Sequence, residues 1–297
     1  MTQVLAPQPA PETRTGHDTV PMTRLIRAEL RWIFRRPRTL IVLAMLAVIP
    51  VVIGVGLTLV DTNAGSGSGG GPDDGGGALL ATAVNNGFVL PIAALVMTLT
   101  LLLPLAAAMA GADAIAGETA HGTLRGWLLT PVSRGRLLAV KSFGVATVAL
   151  VTVLSMAVTG VITGLIINGT DSLFTISGTT LSLWDALGRI LIAVAWVTLQ
   201  LWAVGAVALA ISACTEHPML VVVSVLAGNI VFQILGYLDA VSWLHPFLLN
   251  QNWTSALTEV LQDPMASVQL GEGALRAACY IAIALSLAYA RLTTRDG

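Results

Sequence analysis

Residues 111–141, GADAIAGETAHGTLRGWLLTPVSRGRLLAVK, form a polar and basic island between two hydrophobic runs, each long enough to cross a bilayer. A plain linker between spans needs only a few polar residues. This one carries Asp113, Glu118, His121, Arg125, Arg134, Arg136 and Lys141, patterned around Leu124, Trp127, Leu128 and Leu129. The pattern predicts a short helix lying at the membrane surface, presented to a partner on the side where the loop lies.

The rest of the chain supplies the membrane. Of its 297 residues 55% are hydrophobic and 10% charged, with a mean hydropathy of +0.82, against about 25% charged in soluble domains. A hydrocarbon core of about 30 Å needs about 20 apolar helical residues. Six segments meet or approach that length: 39–60, 88–109, 143–167, 190–213, 219–238 and 273–292. The last is the weakest, because Arg276 and Arg291 bracket an uncharged stretch only about 21 Å long as a helix, so both side chains are expected to snorkel outward. The fold class is therefore an all-α integral membrane protein with six transmembrane helices. Cys214 and Cys279 sit inside apolar runs and read as small buried hydrophobes.

Orientation follows from fourteen Arg and one Lys. Six spans put both termini on one side. That side holds seven Arg in residues 1–38, then Arg125, Arg134, Arg136 and Lys141, then Arg291 and Arg295, leaving only Arg189 and Arg276 opposite. The positive-inside rule makes the basic side cytoplasmic, and a five-span alternative fits it less well. Residues 1–20 read as a disordered cytoplasmic tail. The Gly-rich run within 61–78 is a flexible outer linker lacking the Gly-Lys-Ser/Thr ending of a phosphate loop. The last outer loop, 239–272, carries Trp253, Leu257, Val260 and Leu261 at helical spacing, which predicts a short helix in the outer interface.

Residues 22–36 make an amphipathic helix. On a wheel, Arg24, Arg27, Arg31 and Arg35 share one arc, while Met22, Leu25, Ile26, Leu30 and Ile33 lie opposite. Such a helix rests at the interface with guanidinium groups toward lipid phosphates. Glu29 falls in the apolar arc and so requires a basic partner, for which Arg125 and Arg134 are the candidates.

Enzyme chemistry is excluded step by step. Glu118-Thr-Ala-His121 places two potential metal ligands on one face, but no second such pair exists, so no metal site is expected. Ser133 and Ser142 lack a His/Asp constellation. Lys141, the sole lysine, follows Val140 rather than Gly and cannot complete a P-loop. Pro131 ends a helix over 119–130, and Ser133 is placed to cap the next. On the residues alone, a docking element for a soluble partner and an ordinary basic loop that fixes topology both remain open.

The run Asp113, Ile115, Glu118, Gly122-Thr123-Leu124, Leu128-Leu129, Pro131, Ser133-Arg134, Leu137-Leu138, Lys141 resembles the signature of type-2 ABC-transporter permeases. Thr130 directly precedes Pro131 where that family often has one more residue. The resemblance covers about residues 20–295, in an amphipathic N-terminal helix, six spans and a long last outer loop. It implies a type-2 ABC exporter-like fold in a bacterial inner (plasma) membrane and a pairing of two permease subunits, identical or not, with two separate ATPase subunits. ATP and Mg would be bound by the ATPases, and no cofactor by this chain. Residues 113–136 would be the coupling segment, with Glu118, Gly122, Thr123, Leu124, Arg125, Leu128, Leu129, Pro131 and Arg134 contacting or bracing the ATPase. ATP-driven closure would re-aim spans one, two and five.

Few polar groups lie within the spans. Gln200, Asn229 and Gln233 are candidates to line a pathway, with hydrogen bonding between helices as the alternative. The absence of mid-membrane charge argues against ion coupling and favours export of a hydrophobic or amphipathic compound such as a drug, antibiotic or lipid. No nucleic-acid partner is expected. The competing readings are a membrane scaffold or immunity protein without transport, and a secondary transporter.

Overall fold

Two prolines set the first boundary of the architecture. The computed structural model describes residues 21–59, 79, 82–83, 86–120, 133–169, 182–265 and 267–294, and among these every element is helical. Helix α1 (Met22–Arg35) begins after Pro21 and ends where Arg36 turns extended, at φ −77° and ψ 120°. The next residue, Pro37, disfavours helix in the residue before it and opens α2 (Pro37–Leu59) at the one position where proline suits a helix. The expected tail, 1–20, and the coupling residues 121–132 lie outside the described residues.

Next come α3 (Val89–Leu99), α4 (Leu102–Ala114) and the short α5 (Ala116–Ala120), followed by α6 (Arg134–Asn168), α7 (Leu183–Ser212) and α8 (Pro218–Gly236). A 3-10 stretch (Asp239–Phe247), α9 (Trp253–Glu259) and α10 (Val268–Thr294) complete the chain. Ser182 starts α7 by accepting from the Asp185 amide at 3.2 Å, and Gly169, at φ +72°, closes α6 in a conformation that glycine adopts without strain. Ser133 occupies the N-cap position of α6 with extended backbone, but its hydroxyl makes no capping bond.

Among the described residues five helices are long and apolar enough to cross a membrane, α2, α6, α7, α8 and α10, and α3 with α4 make a sixth if counted as one bent span. The bundle is arranged around α7, which packs against α10, α4 and α6. Helix α2 turns in only a narrow stripe, Leu46, Pro50 and Gly54, and leaves Ile41, Met45 and Val52 more than 60% exposed. Large apolar side chains pointing outward suit a hydrocarbon solvent. The same logic corrects the expectation for the cysteines, since both are exposed. For Cys279, on α10, an apolar setting in sequence does not mean an inward one when the solvent is lipid, whereas Cys214 is exposed in the turn between α7 and α8.

Close backbone approaches fix the packing. A Cβ added at Gly164 of α6 would lie 2.3 Å from the Gly87 carbonyl oxygen, and one at Gly160 would lie 2.8 Å from Pro91 Cα. On α4, a Cβ at Gly111 would lie 2.7 Å from the Gly205 carbonyl oxygen of α7. Small residues that let backbones touch are the usual adhesive between membrane helices.

The second span is not the continuous helix expected over 88–109. It bends by 60° between α3 and α4, with Leu101 at φ −141° and ψ −50°. The cause lies three residues further on. In a continuous helix the Thr100 carbonyl would accept from residue 104, which is Pro104 and has no N–H. The stranded carbonyl is taken up by α8 instead: Asn229 Nδ2 donates to it at 2.9 Å and Gln233 Nε2 at 2.7 Å.

Helix α6 extends nine residues before the expected start of its span. Its 35 residues make a rod of about 52 Å, well beyond a hydrocarbon core of about 30 Å. At the end of the bundle remote from α1, α9 is buried in protein rather than lying in the interface as its periodicity suggested. Trp253, Ala256, Leu257, Val260 and Leu261 are all buried. Arg276 does not snorkel to lipid either: its guanidinium donates to the Pro246 carbonyl at 2.8 Å and the Gln251 carbonyl at 3.1 Å.

Candidate functional site

Charge in the α1 end of the bundle is concentrated at one buried junction. The wheel position of Glu29 turns its carboxylate inward, while Arg24, Arg27, Arg31 and Arg35 on the opposite arc are exposed. Of the two partners expected for Glu29, Arg125 lies outside the described residues, and Arg134 reaches the Leu292 carbonyl instead. The cation that meets Glu29 is Lys141, whose Nζ stands 3.0 Å from both carboxylate oxygens. The same ammonium also bonds Glu118 Oε1. Lys141 is 1% exposed, Glu29 3% and Glu118 3%.

Three segments distant in sequence meet there. Glu29 comes from α1, Glu118 from α5 at the base of the coupling segment, and Lys141 from the third turn of α6. Glycine makes the approach possible: a Cβ at Gly144 would fall 2.9 Å from Ile33 Cδ1 and 3.3 Å from Glu29 Cγ. The Trp32 ring roofs the junction, with Lys141 Nζ 5.2 Å from its centroid and the Arg36 guanidinium carbon 3.3 Å from it, both within cation–π range.

Among the described residues the junction brings two carboxylates onto one ammonium. Burial pushes the Glu118 carboxyl above its ordinary range, opposed chiefly by the charge of Lys141 and its hydrogen bond. Arg36 stands nearby and, with Arg38, faces Asp113, at 3.7 and 3.6 Å. Burial also pulls the Arg36 guanidinium below its ordinary value, with Asp113 the largest opposing influence.

Hydrogen bonds brace this end from α7. Between α4 and α5 the chain breaks at Ile115, with φ −122° and ψ −60°. Ser212, at the end of α7, accepts from the Ala116 amide at 2.8 Å and donates to the Ala112 carbonyl at 3.2 Å, holding the break in place. Arg134 donates to the Leu292 carbonyl, one of the last-turn acceptors that α10 cannot satisfy internally. That bond joins the start of α6 to the end of α10.

Of the residues expected to couple to a partner, Glu118 and Arg134 are thus placed, though not side by side. Gly122, Thr123, Leu124, Arg125, Leu128, Leu129 and Pro131 lie outside the described residues. Asn229 and Gln233 share a face as expected, and both amides are committed to the Thr100 carbonyl. Gln200 is fully buried and accepts from Trp253 Nε1 at 3.3 Å, within the core of the bundle. Among the described residues no three His, Cys, Asp or Glu side chains converge on a metal position.

The family model described as "ABC-2 family transporter protein" matches residues 23–297. The chain belongs to the ABC-2 transporter family. No curated protein matches it. As an ABC-2 permease it is the membrane-embedded component of an ABC transporter, distinct from the ATPase with which such a component works. All three junction residues fall within the matched range.

Proposed function

We propose that this permease takes up the stroke of a separate ATPase through residues 113–136 and passes it to α1 and α6 through the Glu118–Lys141–Glu29 junction. The supporting observation is that one buried ammonium ties the base of the coupling segment to the interfacial helix and to the longest span at once. Loose loops transmit little force. A segment held by charge pairs at 1–3% exposure moves its neighbours when it is pushed, because separating the charges in a dry site costs several kcal/mol.

On this reading the α1 end faces the cytoplasm of a bacterial cell, with both termini there and the chain in the inner membrane. Two permease subunits frame the pathway, and ATP with Mg is bound and hydrolysed on the ATPase. The load is a hydrophobic or amphipathic compound moving outward, consistent with spans that carry almost no mid-membrane charge.

The test is co-purification with an ABC ATPase subunit, followed by ATPase assays in nanodiscs. Glu118→Gln, which keeps shape but removes charge, is expected to leave the complex assembled while uncoupling ATP turnover from transported compound. Deletion of 119–130 is expected to abolish assembly. ATPase binding and turnover indifferent to both changes would sink the proposal.

A further inference from the structure

The bend in the second span leaves polar backbone uncovered at membrane depth. Thr100 lies about 21 Å along α4 from Ala114, and Asn229 about 17 Å along α8 from Pro218, both measured from the α1 end of the bundle. A hydrocarbon core of about 30 Å contains both. Yet Thr100 is exposed, and Leu101, the residue that breaks the helix, is 45% exposed. Irregular backbone at that depth is tolerated only where protein covers it or water reaches it. The groups left over at the bend are of both hydrogen-bonding kinds. Asn229 and Gln233 spend their carboxamide nitrogens on the Thr100 carbonyl. Among the described residues no donor reaches Asn229 Oδ1 or Gln233 Oε1, and no acceptor takes the Leu101 amide. Asn250 extends the polar ground toward the last loop by donating to the Asn229 carbonyl at 3.2 Å. On the same helices Met97, Leu102, Ile230 and Ile234 are 37–55% exposed, so the opening is polar at its centre and apolar around it.

Charge is missing from this ground. Helices α3 and α8 carry none, and the one charged residue of α4 is Asp113, at the end away from the bend. Arg276 comes in from α10 to the Gln251 carbonyl, with Glu272 one turn away to balance it. An ammonium only donates and a carboxylate only accepts, whereas a hydroxyl or an amide does both. We infer that the bend is a binding site in the transport pathway for an uncharged, hydroxyl- or amide-bearing head of an amphipathic compound. The oxygens of Gln233 and Asn229 accept from that head, the Leu101 amide donates to it, and the apolar body lies against Met97, Leu102 and Ile230. The Thr100 carbonyl stays held throughout by the carboxamide nitrogens. The inference rests on the reading of this chain as a transporting permease and names the class of compound it carries.

The experiment uses the full chain in lipid nanodiscs with Cys214→Ala and Cys279→Ala, so that Leu101→Cys supplies the single thiol. Val52→Cys is the lipid-facing control, 62% exposed on α2 and at a similar depth, about 22 Å from Pro37. A charged, water-soluble methanethiosulfonate reacts where water reaches the thiol, because the thiolate is the nucleophile. Leu101→Cys should be modified to completion under conditions that leave Val52→Cys intact. Protection is then titrated with three amphiphiles that share a dodecyl tail: the maltoside, the phosphocholine and the trimethylammonium, all below solubilising concentration. The maltoside should protect at about fivefold lower concentration or better, the yield of one hydrogen bond. Gln233→Met removes an open oxygen while Asn229 still holds the Thr100 carbonyl, and it should erase that preference. Gln233→Ala should do the same where the Met variant does not fold. The proposal is overturned if Leu101→Cys is as inert as Val52→Cys, as it would be under lipid or a second copy of the chain. It is equally overturned if the three amphiphiles protect alike, or if the preference survives the loss of Gln233. No ATPase enters the readout, so this site can fail while coupling through Glu118 holds, and the reverse.

Discussion

The two ends of the bundle bury arginine and lysine in different ways. At the α1 end a single ammonium holds two carboxylates from segments 112 and 23 residues away. At the other end Arg276 and Arg189 bind backbone carbonyls of the last loop, and Asp263 stands 3.1 Å from Arg189. Carbonyl contacts are neutral on one side and tolerate small shifts, so they suit a cap that stays in place. Charge pairing in a dry site is intolerant of separation, and removing one member leaves the others exposed to the full desolvation cost. The end built from ion pairs is therefore the one whose parts are hardest to separate.

That contrast can be broken most severely at Lys141. Lys141→Met removes the ammonium shared by two buried carboxylates and should cost about 3–5 kcal/mol, read as a collapse of the thermal midpoint in detergent. Adding Glu29→Gln and Glu118→Gln should recover most of the loss, which a purely steric role for Lys141 would not allow. A smaller effect is expected at the opposite end. Arg276→Leu strands the Pro246 and Gln251 carbonyls and should cost about 1–3 kcal/mol, with protease access to 239–265 increasing first. Weaker again, Asn229→Leu/Gln233→Leu removes both donors from the Thr100 carbonyl and should cost about 1–2 kcal/mol, with the bend at Leu101 widening in spin-label distance measurements.

The smallest effect is one of pH. Glu118 titrates above the ordinary carboxyl value of 4.5 because burial disfavours its charge. The raised value means that its contribution to stability is complete below pH 4.5 and is lost as pH rises through the elevated folded value. Wild-type stability should therefore decline on that upward path, and Glu118→Gln should flatten the decline. An unchanged pH profile in the variant would place the proton elsewhere.

Much of this is legible in the sequence, for reasons that differ by residue. Arginines every three or four positions define an arc on α1 whatever it packs against, so its exposed face can be drawn from the sequence. Glu29 in the opposite arc announces a missing cation. Hydropathy alone puts Lys141 at the mouth of a span and so hides it as the partner, whereas α6 begins at Arg134 and carries it inward. The bend in the second span is hidden because apolar runs look alike on either side of it. Its signal is spread over three residues: Pro104 removes a donor, and Asn229 and Gln233, four residues apart, replace it. The periodicity of α9 gives one apolar face correctly, yet periodicity does not say whether lipid or protein covers that face. Nothing in the sequence singles out Ser212, a small hydroxyl at the end of a span.

The backbone approach of Gly160 and Gly164 to the start of α3 would, on the proposed coupling, give α6 a fulcrum far from its charged end. From Lys141 to Gly160 the rod measures about 29 Å, so a tilt of about 10° around that glycine sweeps Lys141 through about 5 Å, close to one helical turn. Beyond the fulcrum only about eight residues remain, and their swing is less than half as large. On the proposed coupling, that geometry would act as a reducing gear: a broad stroke at the charged end would arrive at the far end as a smaller displacement.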